Sequence, residues 1–290
     1  MGTNLYCFVW YYRGSEFRKD FGRLQDVLAV FPSVPAIVAT ATASLDTQQK
    51  IVADLALKTP KVVIAHPDRG NIMYFKRERL PSSKQRDDLD GILLEVAQGL
   101  QTEKQSYPIT IMYCDLEIIS YIYRYLETAL QSDQYIGDEC PENRLFGMYH
   151  QAYTDRMKCH IVTELSKGDQ SKVRFVAATM ALGMGLDARA IRKVIHFKSP
   201  TSIEKYLQET GRAGRDGLPA DAILYYNATD LRSNRPGQQS AMVKYCKQTS
   251  GCLRETLLQY LNFAVPKPRL LCRCCQFCKD KCDCSTCKLL

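Results

Sequence analysis

At 290 residues the chain has room for about two domains, and an apolar fraction of 46% supplies enough side chains for true cores, which excludes global disorder. A formal net charge of +8 is compatible with a polyanionic partner and equally with ordinary solubility. Thirteen cysteines, seven of them from Cys272 to Cys287 and none behind a secretory signal, point to metal ligation in an intracellular setting, and no apolar run approaches a membrane span.

Residues 1–13, MGTNLYCFVWYYR, are aromatic and match no pattern that follows. Phe17 and Phe21 stand at helical spacing as packing residues. A helix over 24–31 stops before Pro32, a short strand follows over 36–39, then a helix over 47–55 and a strand over 62–65. A second alternation starts at 72–75. It continues through a helix over 89–100, a strand over 109–113, a helix over 115–130, a strand over 145–149 and a helix over 154–166. Two β-branched runs, 173–177 and 194–197, read as buried parallel strands, and a helix over 202–209 and a strand over 222–226 close the unit. Such alternation predicts a doubly wound parallel sheet. A polar linker over 230–239 leads to amphipathic helical patterns over 240–245 and 253–261, and Pro266 and Pro268 break the chain before the cysteine tail.

Gly183-Met184-Gly185-Leu186-Asp187-Ala188 fits the dinucleotide fingerprint G-x-G-x-x-A, with Glu204 about where an acidic ribose ligand stands. That motif needs a helix straight after the glycines, whereas a strand follows here. Gly211-Arg212-Ala213-Gly214-Arg215 has a clearer use. Its glycines let backbone lie close to a phosphate, and its two arginines can pair with phosphate oxygens. The wider segment Gln208-Glu209-Thr210-Gly211-Arg212-Ala213-Gly214-Arg215-Asp216-Gly217-Leu218-Pro219 resembles motif VI of the RecQ family of DNA helicases. Residues 178–187, ATMALGMGLD, resemble its motif V in the correct order. Gln208-Glu209-Thr210 stands where related RNA helicases usually carry a His–Arg start. Thr40-Ala41-Thr42-Ala43 resembles motif III, 16–21 the aromatic-rich loop, 68–72 the interdomain linker with Gly70 in place of proline, 109–113 motif IV, and His150 the histidine after the next strand.

The resemblance covers about 14–287. It implies an ATP-dependent, 3′-to-5′ DNA helicase, nuclear, acting in DNA repair, recombination or replication. The implied architecture is an α/β, RecA-like fold with a small helical zinc-binding subdomain. Residues 1–67 would be a remnant of a first RecA-like domain, 68–228 the second, and 229–290 the zinc subdomain. In that family ATP and Mg²⁺ sit between the two RecA-like domains. Arg215 then becomes the arginine finger, with Arg212 its neighbour and Gln208 the link from nucleotide to DNA. Asp187 and Gly185 take positions at the cofactor, Asp187 alternatively bracing motif VI, while Thr40, Thr42, Thr179 and Gly183 take the DNA backbone. Neither G-x-x-x-x-G-K-[ST] nor a DExH box occurs in the 290 residues, so the implied nucleotide site is half built. A partial helicase that needs an N-terminal RecA-like half is the expectation, and a non-catalytic DNA-binding or regulatory module the alternative.

Cys272, Cys275 and Cys278 follow C-x2-C-x2-C spacing, and Cys252 precedes them in Gly251-Cys252-Leu253-Arg254. This resembles the RecQ zinc subdomain and implies Zn²⁺ on Cys252, Cys272, Cys275 and Cys278. Cys274, Cys282, Cys284 and Cys287 compete for the same role, and 284–287 is itself C-x2-C, so a second metal or another register stays open.

Overall fold

Buried parallel strands read as unbroken apolar runs because helices cover both faces. Two strands show this directly: β4 (Thr110–Tyr113) and β6 (Phe175–Ala178) bury all four of their residues. With β3 (Ile72–Glu78), β5 (Phe146–Tyr149), β7 (Lys193–His196) and β8 (Ala220–Tyr226) they form a six-stranded sheet in the order β3-β8-β7-β4-β6-β5. Every pairing is parallel, with Thr110 opposite Phe175 on one side of β4 and Lys193 on the other. The chain is thus α/β with a RecA-like sheet. The computed structural model describes residues 7–10, 24–31, 34–40, 43–81, 84–183, 187–266 and 271–285. Two compact units divide it, one of 1–68 with 258–264, the other of 69–257 with 265–290.

In the larger unit the helices that follow the first three strands are α3 (Gln85–Glu103), α4 (Leu116–Leu130) and α5 (Asp155–Ser166). On α4, Ile119, Ile122, Leu126 and Leu130 recur every three to four residues, and all are buried against the sheet core with Met112, Phe146, Phe175 and Ile195. Thr154 caps α5 by accepting from the Met157 N–H at 3.4 Å. Helix α6 (Ile203–Thr210) starts in the same way, with Ser202 accepting from Lys205 N at 3.2 Å. After β8 come α7 (Ser240–Lys247), α8 (Leu253–Tyr260) and the single turn α9 (Gln276–Lys279).

The smaller unit contains β1 (Cys7–Trp10) parallel to β2 (Ala36–Ala39), α1 (Leu24–Val30) and α2 (Leu45–Asp54). Ile51 and Leu55 of the α2 region pack on Leu24, Leu28, Val38 and Leu57. Two sequence expectations change here. The aromatic N-terminal stretch, which matched no pattern, supplies β1. Residues 62–65, apolar enough for a strand, are irregular, with Val63 85% exposed. Among the described residues they have no ladder partner, and a strand exists only by pairing. The expected aromatic-rich loop over 16–21 lies outside the described residues.

Candidate nucleotide and metal sites

Helix α6 leads into the two-arginine loop, and the loop's shape is set by backbone rather than by side-chain packing. Gly214 has φ +56°, and a Cβ there would lie 2.7 Å from the Leu218 carbonyl oxygen, so only glycine fits. Two residues just before β3 hold the loop from outside. Arg69 donates to the carbonyls of Gly211 (3.3 Å), Ala213 (3.3 Å) and Gly214 (2.6 Å). Asn71 donates to those of Gly214 (2.8 Å) and Leu218 (2.7 Å). Asp216 is clasped by both terminal nitrogens of Arg192, which holds its carboxyl below the usual range.

On this frame Arg212 is buried and Arg215 exposed, its Nη1 standing 3.7 Å from Asp187 Oδ1. Partial burial, with Arg212 beside it, lowers the Arg215 pKa, and Arg69 adds to the effect while Asp187 opposes it. Guanidinium groups stay charged regardless. Arg215 and Arg189 each stand 3.7 Å from the exposed Asp187 carboxylate, and with Arg212 and Arg69 near Arg215 they leave an excess of positive charge that a phosphate can neutralise. Beneath lies a buried polar stack. His196 Nε2 meets Glu209 Oε2 at 2.8 Å, and the Tyr113 ring stacks on His196 with centroids 5.2 Å apart. Burial pushes the Tyr113 phenol up, and the nearby Arg212 pulls it back.

The structure therefore places Arg215 beside both Asp187 and Arg212. Gln208 is half-buried on α6, one residue before Glu209. Thr179 directly follows β6, its N–H bonded to the Tyr149 carbonyl at 3.0 Å and its hydroxyl accepting from Ala181 N at 3.3 Å, and Gly183 ends the 3-10 turn Met180–Gly183. Thr40 is exposed after β2 in the smaller unit, while Thr42 and Gly185 lie outside the described residues. Sequence reasoning missed Arg69, Asn71, Tyr113 and the His196–Glu209 pair. No spacing rule connects residue 69 to residue 214; the one available signal was the likeness of 68–72 to a family linker.

The cysteines gather differently from the expected quartet at one position. Cys252, Cys274, Cys275 and Cys278 have their sulfurs within 4.8 Å of one another, and Cys272 instead groups with Cys282 and Cys284. The C-x2-C-x2-C spacing assumes one regular loop. Here residues 271–273 form a 3-10 turn, Cys275 is extended (φ −160°, ψ 170°), and α9 begins immediately after it, so the periodicity breaks between Cys272 and Cys275. Cys252 and Cys274 sulfurs are 3.4 Å apart, and the Leu253 N–H points at Cys275 Sγ, also at 3.4 Å. Thiol donation from Cys252 and then Cys274 holds Cys275 far below the usual thiol range, and the same contacts push Cys274 up. Burial pushes Cys278 up to about 12. Four sulfurs within 4.8 Å of one another are a donor set that a tetrahedral zinc ion fits, since the cation stabilises thiolates.

This cluster is pinned to the sheet edge. Tyr74 N of β3 donates to the Cys274 carbonyl at 3.4 Å, and Lys76 N donates to Gln276 Oε1 at 2.7 Å. Arg254, near the start of α8, donates to the Arg69 carbonyl at 2.8 Å and also to that of Ile72.

Residues 118–217, which run from α4 through the arginine loop, match the family described as the helicase conserved C-terminal domain. The chain is 31% identical to the ATP-dependent DNA helicase RecQ of Pasteurella multocida over 92% of its own length and 40% of that protein's. It is 27% identical to the ATP-dependent DNA helicase Q-like 2 of Arabidopsis thaliana, over 96% of this chain and 36% of the other. In fold it is similar to S. cerevisiae Dbp5 bound to RNA and ADP BeF3, at a TM-score of 0.56 and 14% identity, covering 83% of this chain and 57% of that one. The chain is thus related to the RecQ helicases along most of its length, and it spans about two fifths of the curated relatives it matches.

Proposed function

We propose that this chain supplies the arginine-bearing half of an ATP-dependent DNA helicase of RecQ type with 3′-to-5′ polarity, acting in DNA repair or recombination. The observation that carries this reading is Arg215, held beside Asp187 on a loop that Arg69 and Asn71 fix by their donated hydrogen bonds. In this reading Arg215 is the finger that meets charge developing on a γ-phosphate, and Arg212 pairs with the same oxygens. Asp187 keeps Arg215 extended until the phosphate replaces it. Gln208 carries the nucleotide's state from α6 toward bound DNA, which Thr40, Thr42, Thr179 and Gly183 contact through its backbone. Mg²⁺, when bound with ATP, neutralises phosphate charge. It is held by an acidic group and phosphate loop that these 290 residues do not encode. The domain division follows: 1–67 belongs to a first RecA-like domain, 68–228 is the second, and 229–290 is a zinc-braced platform on Cys252, Cys275 and Cys278, with Cys274 as the fourth ligand in place of Cys272.

The test pairs two proteins. The chain alone, and the chain preceded by a RecA-like domain bearing a phosphate loop and DExH box, are each assayed for DNA-stimulated ATP hydrolysis with Arg215 intact and as Arg215→Ala. Turnover only in the longer protein, lost by about 10³ to 10⁵ in Arg215→Ala, is expected. Turnover by the chain alone, or an indifferent Arg215→Ala, sinks the assignment. DNA binding with no hydrolysis in either protein would favour a non-catalytic binding module.

A further inference from the structure

Among the described residues of the tail, three thiols remain after the first cluster is assembled, and they too converge. Cys272, Cys282 and Cys284 have their sulfurs mutually within 4.8 Å, and Cys284 Sγ lies 3.8 Å from Cys272 Sγ. All three are half-buried thiols, none in a disulfide. The backbone explains how residues ten and twelve apart meet. After α9 the Asp280, Lys281 and Cys282 N–H groups fold back onto the Gln276, Cys278 and Lys279 carbonyls at 3.0, 3.2 and 2.9 Å, so the chain reverses and delivers Cys282 and Cys284 to the 3-10 turn that carries Cys272.

We propose that Cys272, Cys282 and Cys284 form a second, separate metal site that takes a soft divalent cation, zinc in the first instance, on three thiolates and a fourth ligand from outside this trio. Thiolate sulfur selects zinc over magnesium or calcium, and three thiolates plus one further ligand is a coordination that zinc accepts. Three thiolates on a divalent ion leave one negative charge, and exposed Arg273, Lys279 and Lys281 on the same short segment offset it against Asp280 and Asp283. The segment from 271 to 285 has few apolar residues, so two metals, one on each side of α9, would fix it where burial cannot. This goes beyond the single zinc of the proposed function and does not depend on it, because the two sites share no ligand.

The test is zinc content of the full chain, purified without oxygen, by elemental analysis and by native mass spectrometry. Two zinc ions per chain are expected. Cys282→Ser and Cys284→Ser each lower the count to one and leave far-UV circular dichroism unchanged. Cys278→Ser lowers it to one by the other site, and Cys278→Ser combined with Cys284→Ser brings it to zero. One zinc in the unaltered chain, two retained in the Cys282→Ser, Cys284→Ser double variant, or a Cys272–Cys284 disulfide in the oxygen-free protein would each overturn the second site. In the first of these cases, loss of that one zinc in Cys278→Ser would leave the first site standing.

Discussion

The arginine loop and the cysteine segment press on the same edge of the sheet, around β3, yet they are held by opposite means. The loop rests on a sheet whose central strands are wholly buried, and its own geometry comes from two side chains donating to its carbonyls. Apolar burial at roughly 25 cal/mol per Å² anchors that region. The cysteine segment buries little besides sulfur, Cys274 and Cys275 being its fully enclosed residues. Beyond its hydrogen bonds to β3, the proposed metals would supply its order. One region is therefore positioned by its core and the other, in this reading, by ligation, and Arg254 ties them, reaching the Arg69 carbonyl from the helix that follows Cys252.

Removing metal should separate the two most sharply. Structural zinc in small thiolate sites binds with an apparent free energy of about 10–16 kcal/mol at neutral pH, and that energy is folding energy for the segment it ties. With a strong chelator, amide hydrogens over 271–282 should exchange rapidly while those of β4, β6 and β7 stay protected. Simultaneous loss in both regions would mean that the sheet edge needs the cysteine segment, and the contrast drawn above would fail.

The core-held region should break at its buried ion pair. Arg79 Nη2 donates to Asp230 Oδ2 at 2.9 Å, with the two side chains 2% and 3% exposed, and the same oxygen accepts from Asn227 N at 3.2 Å. Asp230→Ala leaves a guanidinium buried over the Phe197 ring without its counter-charge, at a cost of about 3–5 kcal/mol. Urea unfolding followed by far-UV circular dichroism measures it. A smaller change in the same substitution after chelation would show that the two regions share stability. Arg69→Ala comes next. It removes three donated bonds from the arginine loop while leaving both phosphate-facing arginines in place, and charge-assisted bonds of this kind contribute about 1.5–3 kcal/mol. In the chain preceded by a RecA-like domain bearing a phosphate loop, ATP turnover should fall about ten- to a hundredfold.

How much of this was legible in the sequence follows the same division. The strands of the sheet announce themselves because buried parallel strands leave uninterrupted apolar runs, and 173–177 and 194–197 differ from the observed Phe175–Ala178 and Lys193–His196 only at their ends. The arginine loop was visible because its glycines and arginines are adjacent in the chain. Its supports were not, since Arg69 acts across 145 residues on Gly214. The strand at Cys7–Trp10 carried no alternation, and 62–65 carried strand composition with no partner, so composition misled in both directions. Cysteine spacing grouped Cys272 with Cys275 and Cys278, whereas the sulfurs gathered with Cys252 are those of Cys274, Cys275 and Cys278; the 3-10 turn that carries Cys272 leaves no periodic mark.

The smallest expected effect lies at the joint between the regions. Lys76 of β3 buries its ammonium, donates to the carbonyls of Tyr245 (2.7 Å), Cys246 (2.8 Å) and Gln248 (2.5 Å) at the end of α7, and lies 5.8 Å from the Phe277 ring centre in the cysteine segment. Burial lowers its pKa to about 8 from an ordinary 10.5, with the nearby Cys246 pulling the other way. Between those two values the unfolded chain binds the proton more tightly than the folded one, so unfolding free energy rises with pH from about 8 toward 10.5. Cys246, pushed up to about 11 by burial, acts in the opposite sense once pH passes the ordinary thiol value near 9, and the buried Tyr206 and Tyr245 do so above about 10. Over pH 8 to 9 Lys76 contributes about 1 kcal/mol. Cys275, held below the ordinary thiol range, and Cys114, pushed up by burial, contribute to the pH dependence there as well, so the difference between two proteins isolates the lysine. Lys76→Met, which leaves the helix-end carbonyls without their donor, should lose this rise, so the stability gap between it and the unaltered protein widens from pH 8 to 9. Denaturant midpoints of the two proteins at both pH values supply the comparison. A gap that stays constant would mean that Lys76 keeps an ordinary pKa, and that the three carbonyls and the rings around it offset its burial completely.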